Sequence, residues 1–327
     1  MAESASRTFR RIGTTARPAA AVSLGGRAVV LGGSIAGLLA VRVLTDHFDE
    51  VVLVEPDELD ASAKVRPGVP QAQQVHSLLP AGRSQLDRWY DGFSDNLIAG
   101  GAQVATAANT RIHYNGRLKV ALPGVELLMS TRPFLESVLR RRALALPRMR
   151  VLRDRAVGLE VDGSAVRGVR LGSGERLDAA LVVDASGRGS RVGHWLEDAG
   201  WPAPPLERMR VEINYSTALF RRTERRPEVA FALATWCIGR TPAGLAPAVS
   251  DAVEDDRWIV MVGGYGADKP GRDPADLREL CARLPPTVSA GERWRVAGTH
   301  RRVHSGRQPT PPLSGPEPIP GPVDRAG

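Results

Sequence analysis

The chain has 327 residues, of which 43% are hydrophobic, so it is long enough to bury a large core and to form more than one domain. Its formal charge of +8 lies mainly at the ends, with +4 in residues 1–27 and +3 in residues 291–327. The nearly neutral segment between them argues against nucleic-acid binding. Cys237 and Cys281 lie far apart and the six His are scattered, so neither a disulfide framework nor a metal site is expected.

Residues 1–26 are predicted to be an unstructured leader. Arg10-Arg11 are not followed by the apolar core that an export signal requires. The apolar run from Ala28 to Val41 is too short to span a bilayer. Together with the two isolated cysteines, this predicts a cytoplasmic protein without stable membrane insertion.

A Gly-rich turn follows the first apolar run, residues 28–31. Residues 38–41 continue the turn as a helix, and a second apolar run, residues 51–54, ends at Glu55. The order strand, turn, helix, strand and acid is typical of the unit that binds the ADP half of a dinucleotide, with Glu55 accepting hydrogen bonds from the ribose. The candidate cofactor-binding residues of this turn are Gly32, Gly33, Ser34, Ala36 and Gly37.

The next segment alternates between loops, a helix and a hairpin. Residues 64–71 form a loop by their Pro and Gly content, and a helix is predicted through Leu86 and Trp89. Asn115-Gly116 lies between two short strand patterns and predicts a hairpin with a type I′ turn.

A helix is predicted to begin at Ser130-Thr131-Arg132-Pro133, where a hydroxyl cap is followed by Pro and by apolar residues at helical spacing. Arg140-Arg141-Arg142 is interpreted as its solvated end. Residues 157–171 alternate with period two and predict a second hairpin. A strand over residues 181–183 then runs into Asp184-Ala185-Ser186-Gly187, a second turn suited to a phosphate, although Asp184 could also simply cap the helix that follows.

The last part of the chain differs in kind. Aromatic and β-branched residues between about 206 and 284 predict broad antiparallel strands, followed by a short helix from Asp273-Pro274. The residues beyond about Arg295 are rich in Pro, Gly and Arg and are predicted to be unstructured.

Three segments together resemble the FAD-dependent monooxygenases of the aromatic-hydroxylase type, and among them the actinobacterial flavin epoxidases that act on polyketides. They are residues 31–39, residues 66–79 and residues 183–191. The resemblance extends from about Arg27 to about Gly291. It implies a mixed α/β fold, in which a Rossmann-like FAD-binding domain with an inserted β-meander is joined to an antiparallel β-sheet substrate domain.

The resemblance also implies boundaries and roles. Residues 27–205 would form the FAD-binding domain, with parts of 92–128 contributing to the substrate region, residues 206–290 the substrate domain, and residues 291–327 a disordered tail. Arg66 and Arg132 would reach the FAD, and Asp184 and Gly187 would shape the pyrophosphate site and the route of NADPH. An alternative for Arg66 is a surface position beside Pro67.

One motif of the resembled family is missing. The Gly-Asp segment with its Pro and Gly-rich helix start is not found, and the composition after about Trp294 resembles a shifted reading frame. The expectation is therefore a C-terminally truncated or frameshifted chain that binds FAD weakly and turns over little.

The resulting hypothesis is an enzyme that uses FAD, NAD(P)H and O2 to transfer one oxygen atom to a small hydrophobic olefinic or aromatic substrate. Bound flavin performs the difficult chemistry, so no catalytic residue is assigned. Two alternatives stay open: a non-catalytic remnant with weak nucleotide binding, and a flavin-dependent reductase of prenyl chains. The oligomeric state and the choice between NADH and NADPH are not predicted.

Overall fold

The computed structural model describes residues 4, 6–8, 21–120, 123–205, 207, 213–222, 229–235, 245–265, 270, 271, 273 and 300–305. Both cysteines and the helix predicted from Asp273-Pro274 lie outside these residues, apart from Asp273 itself.

A parallel sheet forms the centre of the first half of the chain. Its strands are β1 (Arg27–Leu31), β2 (Glu50–Val54), β8 (Met149–Leu152) and β12 (Leu181–Asp184). They lie in the order β12-β1-β2-β8, and all their pairings are parallel. The apolar runs are continuous because both faces of this sheet are buried.

Five α-helices and two short 3-10 helices, Pro70–Gln73 and Gly187–Gly189, have their bounds within the described residues, and the α-helices are labelled α1 to α5. They are α1 (Ile35–Leu44), α2 (Pro80–Trp89), α3 (Phe93–Ala99), α4 (Arg132–Leu144) and α5 (Val192–Asp198). Helices α1 to α4 pack on the sheet face that carries Val30 and Leu53. The opposite face, with Val29 and Val52, packs on α5 and on a β-meander. The predicted helices at residues 38, 86 and 132 are therefore confirmed, and Thr131 caps α4 by accepting the Phe134 N–H at 3.3 Å.

The meander contains the three antiparallel strands β9 (Ala156–Asp162), β10 (Ala165–Leu171) and β11 (Arg176–Asp178). A small sheet in the order β3-β7-β4 contains β3 (Ser77–Leu78), β4 (Gln103–Ala105) and β7 (Leu127–Met129). The second predicted hairpin is confirmed by β9 and β10.

A seven-stranded sheet forms the other half. Its strands are β5 (Thr110–Tyr114), β6 (Arg117–Leu118), β13 (Ile213–Arg221), β14 (Phe231–Thr235), β15 (Leu245–Val253), β16 (Arg257–Tyr265) and β17 (His300–Ser305). They lie in the order β17-β13-β16-β15-β14-β5-β6, and the β14–β5 pair is parallel whereas the others are antiparallel. The predicted Asn115-Gly116 turn joins β5 to β6, and both residues have positive φ, 49° and 75°.

Two expectations need correction. The tail over residues 291–327 was expected to be unstructured, yet His300–Ser305 pairs with β13. Those six residues contain neither Pro nor Gly, and the free edge of β13 offers backbone partners whatever the side chains. Arg140 was interpreted as part of a solvated end, but it is 1% exposed. Its guanidinium donates to the Asp60 and Ser62 carbonyls at 2.7 Å each, which makes burial possible.

Candidate nucleotide-binding site

The Gly-rich turn lies at the carboxyl edge of the parallel sheet, between β1 and α1. Gly32 has a φ of 97°, and a Cβ there would lie 2.6 Å from the Ala185 carbonyl oxygen. A Cβ at Gly37 would lie 1.7 Å from the Gly32 carbonyl oxygen. Both positions therefore require glycine, and the turn brings the start of α1 close to the end of β12.

The start of α1 offers backbone donors. Ser34 is its N-cap, and no side chain caps it. The first N–H groups of any α-helix have no acceptor inside the helix. These groups and the helix dipole make this end of α1 suited to a phosphate.

Glu55 ends β2 next to this turn and is 7% exposed. One carboxylate oxygen accepts the Gly33 N–H at 2.5 Å, and the other accepts the Asp57 N–H at 2.9 Å. Glu55 therefore orients the turn itself. Because each carboxylate oxygen can accept more than one hydrogen bond, the group can still accept ribose hydroxyls.

Arg66 is buried beneath the turn, at 7% exposure, so the alternative of a surface position is wrong. It donates to the Gly33 carbonyl at 2.9 Å and lies 3.4 Å from the Glu55 carboxylate. Within the described part of the chain, its Nε is buried without a hydrogen-bond partner. The guanidinium is therefore already paired with carboxylates, and its Nε leaves one donor for a further acceptor.

Glu136 joins three of the predicted residues and was missed in the sequence. It is 3% exposed, and it accepts Ser34 Oγ at 2.9 Å and Arg132 Nε at 2.8 Å. Arg66 Nη2 lies 3.5 Å from the same carboxylate. The sequence does contain a signal for this residue. Glu136 lies four residues after Arg132 in a predicted helix, which places both side chains on one face.

Arg132 points from the first turn of α4 toward the Gly-rich turn. Its guanidinium donates to Ser34 Oγ at 3.2 Å and lies 3.3 Å from His76 Nε2. His76 Nδ1 lies 2.8 Å from the Gln74 carbonyl, and burial lowers the pKa of His76. His76 is therefore a packed neighbour of the network.

Asp184 ends β12, across the turn from Glu55. Its carboxylate accepts the Ser186 N–H at 2.9 Å and the Ser186 and Ser190 hydroxyls at 2.5 Å each. The side chain thus shapes the second turn. It does not cap the helix that follows, because the N-cap of α5 is Arg191 and no side chain makes a capping hydrogen bond there. Gly187 in that turn has a φ of 69°, and a Cβ there would meet nothing within 4 Å. Space near Gly187 is open to a ligand.

A cavity of about 380 Å³ lies where these segments meet. Its walls include Gly32, Ser34 and Glu55, which were predicted, and Arg155 and Arg191, which were not. Trp195 and Val157 add apolar surface. Backbone donors, the Glu55 carboxylate, cations and an apolar wall match the pyrophosphate, ribose and base of an ADP group, so these residues fit the ADP half of FAD.

A second and larger cavity of about 940 Å³ lies between the seven-stranded sheet and the start of α4. Its walls include the apolar side chains of Phe134, Leu219 and Ile259. Gln73 also lines it, and the Gln73 Oε1 is buried without a hydrogen-bond partner in the described segments. The same walls also carry the charged residues Arg221, Arg222, Glu254, Asp255, Asp256 and Arg257, so the cavity combines apolar and charged surface, as the binding site of a polar organic ligand does.

None of the helices in the described ranges combines the length and the hydropathy that a bilayer-spanning segment needs. The same residues contain no cluster of three His, Cys, Asp or Glu side chains that could hold a metal ion.

The parallel sheet with its Gly-rich turn, the meander and the large antiparallel sheet define the fold of FAD-binding monooxygenases. The chain is similar to PqsL of Pseudomonas aeruginosa, described as a probable FAD-dependent monooxygenase, with 20% identity and a TM-score of 0.57 over 79% of this chain and 63% of that one. It is similar to 2-methyl-3-hydroxypyridine-5-carboxylic acid oxygenase, with 20% identity and a TM-score of 0.59 over 86% and 70%. The flavin-dependent brominase Bmp2 gives 14% identity and a TM-score of 0.60 over 86% and 66%. The predicted fold class is confirmed.

Among curated proteins, Protein Rv3254 of Mycobacterium tuberculosis is 30% identical over 277 residues, which cover 79% of this chain. The matched part of this chain spans 57% of the length of that relative. No protein-family model matches the chain.

Proposed function

We propose that the protein is an FAD-dependent monooxygenase that transfers one oxygen atom of O2 to an olefinic or aromatic small molecule, with NAD(P)H as the reductant. The observation that carries the proposal is the tight turn of Gly32 and Gly37 facing Glu55 at the edge of the parallel sheet. The fold is shared with oxygenases and with a brominase. It therefore supports a flavin-dependent reaction without specifying which one.

The residues that would hold FAD are those whose geometry fits its ADP half. The N–H groups at the start of α1, in the turn of Gly32, Gly33, Ser34, Ala36 and Gly37, would bind the pyrophosphate. Glu55 would bind the adenosine ribose, while Arg66 and Arg132 would supply positive charge from below the turn and from α4. Asp184 and Gly187 would shape the opposite wall.

When bound, FAD would supply reduction by NAD(P)H and reaction with O2. The protein's own residues would orient the cofactor and exclude water. The 940 Å³ cavity would receive the substrate, because Phe134, Leu219 and Ile259 present an apolar wall to it. In the balanced reaction the substrate gains one oxygen atom, the other becomes water, and NAD(P)H is oxidised to NAD(P)⁺.

The test is to purify the protein with added FAD, record its flavin absorbance and follow NADPH oxidation with and without O2. We expect weak binding of flavin and slow, O2-dependent oxidation of NADPH, because the Gly-Asp segment of the resembled family is not found in this sequence. Oxidation of NADPH that does not need O2 would indicate the prenyl-chain reductase instead. Nucleotide binding without any turnover would indicate the non-catalytic alternative, and a requirement for bromide would indicate the brominase reaction.

A further inference from the structure

A carboxylate of the seven-stranded sheet caps the helix that carries Arg132. Glu254 follows β15 in the turn to β16 and is 4% exposed. Its Oε2 accepts the Thr131 N–H at 2.9 Å, and its Oε1 accepts the Thr131 hydroxyl at 2.6 Å. Thr131 is the N-cap of α4, so an acid 123 residues away in sequence binds the start of this helix.

Three donors converge on this one carboxylate. Besides the two donors of Thr131, Arg257 Nη2 lies 3.0 Å from Glu254 Oε1. The Thr131 hydroxyl itself accepts the Phe134 N–H, so its own proton is directed to Glu254. An arrangement of three donors requires two acceptor oxygens, which a carboxylate has and an amide lacks.

Because Glu254 binds the start of α4, that helix start is not available to a phosphate, whereas the start of α1 is. Negative charge at the N-terminus of α4 already interacts with the helix dipole, and the Thr131 and Phe134 N–H groups donate to Glu254 and to the Thr131 hydroxyl. The start of α1 has no capping side chain. Consequently α4 contributes to the nucleotide site through the side chain of Arg132, whose position depends on where its first turn is held.

We infer that Glu254 is a positioning residue for the nucleotide site: by binding Thr131 it fixes Arg132 against Ser34. This inference rests on the proposed function, in which Arg132 reaches the FAD. It means that the seven-stranded sheet helps to set the affinity for FAD. It does so through the turn that holds Glu254, which also borders the 940 Å³ cavity.

The test measures FAD affinity by equilibrium dialysis for the wild type, Arg132→Ala, Glu254→Gln and the double variant. Arg132→Ala is expected to weaken FAD binding about tenfold, the usual loss for one charge-assisted contact. Glu254→Gln is expected to weaken it about threefold to tenfold in the wild type and less than about twofold when Arg132 is already absent. This non-additivity distinguishes action through Arg132 from general destabilisation.

Two controls make the outcome decisive. Val260→Ala removes buried volume from β16 without contacting Thr131, so it should lower the melting temperature and leave FAD affinity unchanged. Glu160→Gln alters a carboxylate of the meander, paired with Arg170 and Arg176, and should also leave the affinity unchanged. If Glu254→Gln does not fold, Glu254→Asp is measured in both backgrounds, since its shorter side chain cannot bind both donors of Thr131.

The possible failures are distinguishable. If Arg132→Ala weakens FAD binding but the Glu254 variants do not, or if they weaken it equally in both backgrounds, the inference is overturned while the proposed function stands. If Arg132→Ala leaves FAD affinity unchanged, the proposed cofactor role of Arg132 fails and the inference fails with it.

Discussion

The nucleotide site and the seven-stranded sheet both bury acidic side chains, but they stabilise them differently. Glu136, beneath the Gly-rich turn, has Arg66, Arg132 and Arg140 within 4 Å. Asp251 in β15 is fully buried and accepts one hydrogen bond, from Ser77 Oγ at 3.1 Å. Its other oxygen is buried without a partner in the described residues.

Burying a carboxylate removes it from water, and the two regions offset this desolvation cost in different ways. An acid surrounded by guanidinium groups stays compatible with burial as an ion. An acid with a single neutral donor takes up a proton instead, and burial accordingly raises the pKa of Asp251 to about 7. The first solution keeps a charged network at the nucleotide site, whereas the second makes the sheet sensitive to pH.

The largest expected effect comes from neutralising Glu136, the buried acid beneath the Gly-rich turn. Glu136→Gln should lower the free energy of unfolding by about 3–5 kcal/mol, because three guanidinium groups would lose their shared buried counter-charge. Urea unfolding measures the change. The matched control is Glu50→Gln, whose partly exposed carboxylate pairs with Arg27 and Arg150 and should cost about 1 kcal/mol or less. Equal losses in the two variants would show that burial of the network does not matter.

The next effect concerns the turn. Gly37→Ala places a methyl group against the Gly32 carbonyl and should displace the start of α1, lowering ADP affinity about a hundredfold. Isothermal titration with ADP measures it. Gly193→Ala is the control, since this glycine also lies in a helix and its Cβ would meet only Ala203, at 3.9 Å. Unchanged ADP binding in Gly37→Ala would refute the assignment of this turn.

The smallest effect is the pH response of the sheet. Since the folded state keeps the proton of Asp251 up to about pH 7 and the unfolded state loses it near the ordinary value of 3.8, stability should fall as pH rises between these values. Between pH 5 and pH 7 the loss from this group is about 2 kcal/mol. Asp251→Asn should remove this contribution.

The measurement is the difference in unfolding free energy between the wild type and Asp251→Asn across this pH range. The difference is needed because burial lowers the pKa of His76 and His113, and those groups add a slope of opposite sign. Parallel pH profiles for the two proteins would show that Asp251 does not take up a proton on folding.

The nucleotide site was predicted far more completely than the seven-stranded sheet. The turn at Gly32, the acid Glu55 and the helix start at Thr131 follow from short-range rules, because adjacent residues decide strand, turn and helix start. In the seven-stranded sheet, β17 was wrongly expected to be unstructured. A strand at that position depends on pairing with a distant neighbour more than on its own composition.

The sequence by itself determined the local units and the order in which they occur, since backbone preferences and apolar periodicity act within a few residues. Only the tertiary structure decided which charged side chains are buried and what satisfies them. Arg140 reaches Asp60 across 80 residues, Thr131 reaches Glu254 across 123, and Ser77 reaches Asp251 across 174. The physical reason is that a charge becomes tolerable in the interior only through its partners, and those partners come together only when the chain has folded.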